Sequence, residues 1–217
     1  GAFDLDPEIL QAVDTTAALL EDMGHVVTEM DPPYEPAEKT RLSLGGGTRF
    51  ADSLDAAARA VGRTINANTL EPVNLKHYER SRNSSPASMG DLLEDIRKFR
   101  FRVGVAIDAF DILLTPTMPH LAPPHGGIYC TTNPNVSSEE FSDADGAAAN
   151  HQYMGVFNIT GHPSVSLPVA QSANGLPIGL QIVGRFGDEA TLVRISRDLE
   201  EACPWRHRRP GVRAGRS

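Results

Sequence analysis

The stretch from Gly155 to Trp205 constrains the fold most, because its glycines and prolines fall where backbone elements must start and stop. Phe157-Asn158-Ile159-Thr160-Gly161-His162-Pro163 reads as the end of a helix. Gly161 can take the left-handed conformation that closes a helix, and Pro163 cannot continue one. Ser164 to Val169 alternates small polar with apolar residues, which is the period of a strand. Asn174-Gly175 is strong turn chemistry. Ile178 to Val183 is a second strand, with glycines that let another backbone come close. Asp188 is a good N-cap, and Leu192, Ile195 and Leu199 make a helical stripe after it. The order is therefore helix end, strand, turn, strand, helix.

The same punctuation organises the rest of the chain. Asp6-Pro7 caps a helix whose face is Ile9, Leu10, Val13, Ala17 and Leu20, and Gly24 ends it. His25 to Met30 reads as a strand stopped by Asp31-Pro32-Pro33. A helix followed directly by a strand is the second half of a βαβ unit, which would put residue 1 inside a larger fold; the alternative is an ordinary domain that starts with a helix. Tyr34 to Leu70 is helical in composition, broken by Gly45-Gly46-Gly47-Thr48. That break lacks the lysine and the preceding strand of a phosphate loop. Leu75 to Arg82 is a short polar segment, and Asn83-Ser84-Ser85-Pro86 is a linker or turn. Met89 to Phe110 is a long helix with Leu92, Leu93, Ile96, Phe99, Val103 and Ile107 on one face. Asp111 to Thr117 is an apolar run that suits a central strand covered on both faces. Ligands in open α/β sheets often sit at the carboxyl ends of strands, so the loop from Thr117 to Asn135 is the expected pocket wall. Glu139 to Asp145 reads as an acidic helix start, and Ala147 to Phe157 as a helix with Tyr153 and Phe157 inward.

The ordered set F-N-I-T-G-H-P, S-V-S-L-P and G-L-P-I-G-L-Q-I-V-G, with a closing helix ending near Pro204-Trp205, resembles the C-terminal part of the amidase signature hydrolases. Weaker resemblance covers nearly the whole chain. It implies an α/β fold with a mixed β-sheet covered by helices on both faces, residues 1–217 forming the C-terminal portion of a single domain. It also implies amide hydrolysis by a serine relayed through a second serine, held in a cis peptide, to a lysine. The nucleophile would lie in a Gly-Gly-Ser-Ser-Gly-Gly-like segment whose N–H groups also form the oxyanion hole. These residues contain no such segment. Gly45-Gly46-Gly47-Thr48 has no serine in place, and Ser84-Ser85 has no flanking glycines. Lys39, Lys76 and Lys98 do not stand in the family's catalytic lysine setting. The expectation is that no catalytic residue lies in this chain and that a separate N-terminal amidase segment, an obligate partner, carries the serine. The diverged alternatives are a non-catalytic binding or scaffolding protein of the same fold, and the ammonia-producing subunit of a tRNA-dependent amidotransferase.

The role left to these residues is to shape the substrate pocket, with Thr117, Met118, Cys130, Asn158, Ile159 and Thr160 as candidate walls. For Asn158 and Thr160 the competing role is capping the helix end; for Met118 and Ile159 it is plain core. Cys130 near His125 or His151 invites a thiol-protease reading, but no orienting third group is evident. Asp143 and Asp145 are close enough for paired-carboxylate work, although an acidic helix start explains them. His120, His125 and His151 lack zinc spacing, and no G-x-S-x-G elbow occurs. No metal or organic cofactor is implied, and the substrate expected is a small linear or cyclic amide.

Composition bounds the partners. A formal net charge of -8 argues against nucleic acid, which needs a basic face. Arg206 to Arg216 form a basic tail, read over 206–217 as solvated and flexible. Cys130 and Cys203 make no disulfide framework, so a reducing cytoplasm is the default compartment. No apolar run approaches membrane-spanning length. A homo- or hetero-oligomer is expected, because half a core exposes strand edges.

Overall fold

The hairpin at Asn174-Gly175 is the centre of the fold. In the computed structural model, which describes residues 5–47, 50–83, 89–137 and 151–209, it joins β2 (Ser164–Gln171) to β3 (Pro177–Gly184). Gly175 takes φ +80°, and its N–H donates to Ser172 O at 2.9 Å. Ser172 N–H donates to Leu176 O at 2.8 Å, and Ser172 Oγ accepts from Leu176 N–H at 3.0 Å. The turn is thus closed from both sides. β2 and β3 pair antiparallel with a register shift between Leu167 and Ala170, where Pro168 has no N–H to donate.

β1 (Ile112–Pro116) pairs antiparallel with β3 on its other side, Ile112 opposite Gly184 and Pro116 opposite Leu180. The order is β1-β3-β2. One expectation changes here. The apolar run of β1 was expected to mark the central strand, yet β3 is central and β1 has one strand neighbour among the described residues. Its residues are apolar because helices cover both faces, not because strands flank both edges. Of the α/β sheet expected, the three described strands pair antiparallel.

The two faces bury separate cores. On one, α1 (Pro7–Asp22) and the last helix pack against Leu167, Val169, Ile178, Leu180 and Ile182. Asp6 caps α1 by accepting from Glu8 N–H at 2.9 Å, and Ile9, Ala12, Thr16 and Leu20 are its buried row. Leu10, expected on that face, is 49% exposed. The last helix, Glu189–Ala202, is capped by Asp188 and buries Leu192, Ile195 and Leu199. Each such side chain contributes about 1.5–3 kcal/mol by leaving water. On the other face, Val183 and Leu113 meet Leu42, Leu92, Phe99, Val103, Ile107, Val156 and Phe157. These come from α2 (Pro36–Gly47), α5 (Met89–Ile107) and α6 (Gln152–Thr160). The last helix is α7 in this order. Helices on both faces make the architecture α/β.

α3 (Phe50–Val61) and α4 (Pro72–Asn83) pack on each other to the side. Leu75 to Arg82, read from sequence as a short polar segment, is therefore helix. His25 to Met30 corrects a firmer expectation. It forms no strand, and Val26 is 95% exposed. Its alternation suits a strand, but no described strand lies alongside to accept its hydrogen bonds. Leu93, expected on the apolar face of α5, is 59% exposed.

Thr48, Ser84-Ser85-Pro86, the acidic run Glu139 to Asp145, Ala147 to Asn150 and 210–217 lie outside the described residues. The first part of the basic tail is anchored: Arg208 donates to Pro168 O at 3.0 Å and Val169 O at 3.4 Å, occupying the free edge of β2. No helix among the described residues is long and apolar enough to cross a membrane.

Candidate functional site

Strand alternation sorts the sheet into an apolar face and a hydroxyl-bearing one. Leu167, Ile178, Leu180 and Ile182 point to the α1/α7 side, so Ser166, Gly179 and Gln181 point to the other. Thr115 of β1, Gln181 of β3 and Ser166 of β2 fall in one register row. Gln181 is buried and its Nε2 donates to Thr115 Oγ1 at 3.3 Å. One step on, Thr117 leaves β1 with its N–H donating to Gly179 O at 3.1 Å. Thr117 Oγ1 and Ser166 Oγ then share a hydrogen bond of 2.7 Å.

Gly179 makes that bond possible. A Cβ there would lie 2.9 Å from Ser166 Oγ and 3.2 Å from Thr117 Oγ1. The sequence suggested that glycines in β3 let another backbone approach. At Gly179 two hydroxyls approach instead. At Gly184 the neighbours are Leu192 and the carbonyl of Asp188, so the strand closes on the start of α7. Thr115, Ser166, Gly179 and Gln181 were not singled out from sequence. The signal was present, since the alternation in S-V-S and G-L-Q puts them all on one face.

α6 carries the next group. Asn158 is exposed, Ile159 is half-buried against the second core, and Thr160 is buried. Gly161 closes the helix at φ +79°, its N–H donating to Phe157 O at 2.7 Å. Thr160 Oγ1 lies 2.8 Å from His162 Nδ1, so its hydroxyl is engaged locally. The imidazole stands edge-on to Phe157 and Phe186, with centroids 6.5 and 6.3 Å away. Burial, opposed by Asp108 and reinforced by Arg100, holds His162 below the usual histidine range.

The loop after β1 is tied down. Asp6 N–H donates to Pro119 O at 2.9 Å, and Val73 N–H of α4 donates to Thr131 O at 3.2 Å. Lys76 of α4 donates to the carbonyls of Pro134, at 2.8 Å, and Val136. Asn133 Nδ2 bridges to Gly126 O at 2.8 Å. Met118 and Cys130 are half-buried along it. Cys130 Sγ lies 3.0 Å from Thr132 Oγ1, and hydrogen bonds from Thr132 lower its thiol below the ordinary value. Among the described residues no histidine or cation takes part, so no activated thiolate pair is formed there. Among the described residues no hydrogen bond joins Thr117, Cys130, Asn158 and Thr160 to one another, and no three of His, Cys, Asp and Glu gather as metal ligands. The opposite face bears a shallow groove of about 410 Å³ between Val165, Leu167, Leu192 and Trp205. It lies away from the hydroxyl row and is mostly apolar.

Comparison with known proteins agrees with this architecture. AmiC of Mycobacterium leprae, which bears an amidase name, is 32% identical over 206 residues, covering 93% of this chain and 42% of AmiC. The 6-aminohexanoate-cyclic-dimer hydrolase of Paenarthrobacter ureafaciens is 27% identical over 216 residues, covering 97% of this chain and 43% of that enzyme. A solved structure of 6-aminohexanoate cyclic dimer hydrolase complexed with substrate superposes with a TM-score of 0.83 at 26% identity, over 97% of this chain and 44% of that one. The chain thus spans less than half the length of these relatives. The amidase family model matches residues 1–193, and the chain belongs to the amidase family.

Proposed function

We propose that this chain forms the C-terminal part of an enzyme that hydrolyses the carbon–nitrogen bond of carboxamides through a serine acyl-enzyme. The hydroxyl row is the observation that carries the reading. One sheet face ends in Thr117, Ser166 and Gln181 over the bare backbone of Gly179, while the other face is sealed by α1 and α7. Such a floor can position a polar acyl or amide group but supplies no strong base. Ser166 meets a threonine hydroxyl, which cannot take its proton.

The nucleophile, the second serine and the lysine therefore come from an N-terminal amidase segment, the partner this chain requires. The exposed His25 to Met30 stretch and the single-sided β1 offer that segment backbone to pair with. Thr117, Met118, Cys130, Asn158, Ile159 and Thr160 line or support the pocket. Thr117 does so by contact with the hydroxyl row, and Thr160 through His162 at the end of α6. The substrates are small linear or cyclic amides, the class acted on by the cyclic-dimer hydrolases that share this architecture.

The test is to co-express this chain with the amidase segment that precedes it, assay amide hydrolysis, and label with a fluorophosphonate. Hydrolysis with label on a serine of the preceding segment is the expected result. Label on a serine of this chain, or turnover by this chain alone, overturns the assignment. A monodisperse, cooperatively folded lone chain that gains no activity on mixing identifies a scaffold.

A further inference from the structure

Lys39 is 4% exposed, and among the described residues its ammonium makes no ion pair or hydrogen bond. Its neighbours in α2 are engaged elsewhere. Glu38 pairs with Arg102 of α5, and Arg41 pairs with Asp95 of α5 at 2.8 Å. Lys39 turns the other way, onto α6. There Gly155 provides the space: a Cβ at that position would lie 2.7 Å from Lys39 Cε and 3.0 Å from Nζ. A side chain there would push the end of the lysine aside. Burial lowers the basicity of the amine, and among the described residues no charge offsets it.

A lysine side chain held this far from water with no ion-pair partner is costly, and an anion at its end would offset that cost. Gly155 lies one turn before Asn158 on α6, on the same side of the sheet as the hydroxyl row. Leu42 on α2 and Val156 and Ile159 on α6 belong to the apolar cluster on this side of the sheet. That pairing of one buried cation with an apolar cluster fits a carboxylate on an alkyl chain. A phosphate, with more charge and more oxygens, calls for several donors.

We propose that Lys39, admitted by Gly155, binds a carboxylate of the substrate, so that the preferred amides carry a free acid group on an aliphatic chain. This rests on the hydrolase reading for the word substrate, but the anion site can be tested without turnover. The whole protein is labelled with 13Cε-lysine and titrated with hexanoate, with hexanamide as the neutral comparison. The Lys39 resonance is the one missing in Lys39→Met. Hexanoate is expected to move it saturably, and hexanamide to leave it in place. Lys39→Met loses hexanoate binding, while Lys39→Arg keeps the charge and part of the affinity. In hydrolysis, Lys39→Met lowers kcat/KM for an acid-bearing amide by about tenfold or more relative to its neutral analogue.

A resonance that ignores hexanoate means that a carboxylate of the polypeptide itself, or nothing, faces Lys39, and the proposal fails. It also fails if Lys39→Met binds hexanoate as the parent does. Should hexanoate bind at Lys39 while no amide is hydrolysed, the anion site stands and the hydrolase reading falls.

Discussion

Replacing Gly179 by alanine tests the hydroxyl row directly. Alanine suits a strand better than glycine and on backbone grounds alone would stabilise β3 by roughly 0.5–1 kcal/mol. The structure predicts the opposite sign. The new methyl would sit 2.9 Å from Ser166 Oγ and 3.2 Å from Thr117 Oγ1, where ordinary contact begins at 3.4 Å. Both hydroxyls must give way, and they are joined to each other at 2.7 Å. Overpacking of this kind costs about 1–3 kcal/mol, and a stretched hydrogen bond loses up to about 1 kcal/mol more. Net destabilisation of about 1–3 kcal/mol is expected from the urea midpoint at constant slope. Adding Ser166→Ala removes the closest atom, so the double variant should recover most of that loss and show a coupling of about 1 kcal/mol. Gly179→Ala that is neutral or stabilising would refute the geometry. So would a double variant whose effects simply add.

Other consequences follow from single contacts. Leu199→Ala, emptying a fully buried site between α7 and the sheet, should cost about 2–5 kcal/mol by chemical denaturation. His162 is held below the ordinary histidine value of 6.5, chiefly by burial, so folding favours its neutral form. Its contribution is full above pH 6.5 and is lost as pH falls through the lowered folded range; His162→Gln should flatten the fall in Tm below pH 6.5. Asp188 caps α7 by accepting from Thr191 N–H at 3.2 Å and Thr191 Oγ1 at 2.7 Å, which hold its carboxyl below 3.8. Asp188→Ala should lower Tm at neutral pH, and its difference from the parent should shrink as pH falls below 3.8, because the cap works as a carboxylate.

What the sequence disclosed, and what it concealed, follow from the range of each interaction. Asp6-Pro7, Gly161, Asn174-Gly175 and Asp188 act within a few residues of themselves, and each ends or starts an element where local chemistry requires. The same holds for the stripe of α7, and for that of α5 apart from Leu93. Strand neighbours are set at a distance, so the apolar run of β1 could not say whether it sat in the middle or at an edge. The site has the same character. Thr117 was legible because it follows a strand, but its partner Ser166 lies far along the chain, and only the antiparallel register brings the two hydroxyls over Gly179. Lys39 was legible merely as a lysine outside a known setting. Its end lies close against Gly155, a neighbour set by the packing of α2 on α6 and not by local sequence.

His25 to Met30 shows the limit from the other direction. Its alternation has strand character, yet it forms no strand and Val26 is 95% exposed. A strand is a relation between two segments, because its N–H and C=O groups need partners that its own sequence cannot provide. In the proposed assembly, the partner for this segment is polypeptide beyond the described residues. Binding of the amidase segment should then slow amide hydrogen exchange at alternate residues across 25–30, while leaving α1, already hydrogen-bonded, at its former rate. Uniform exchange across 25–30 in the active assembly would mean that the segment is a surface connection, and that the wall described above is completed elsewhere.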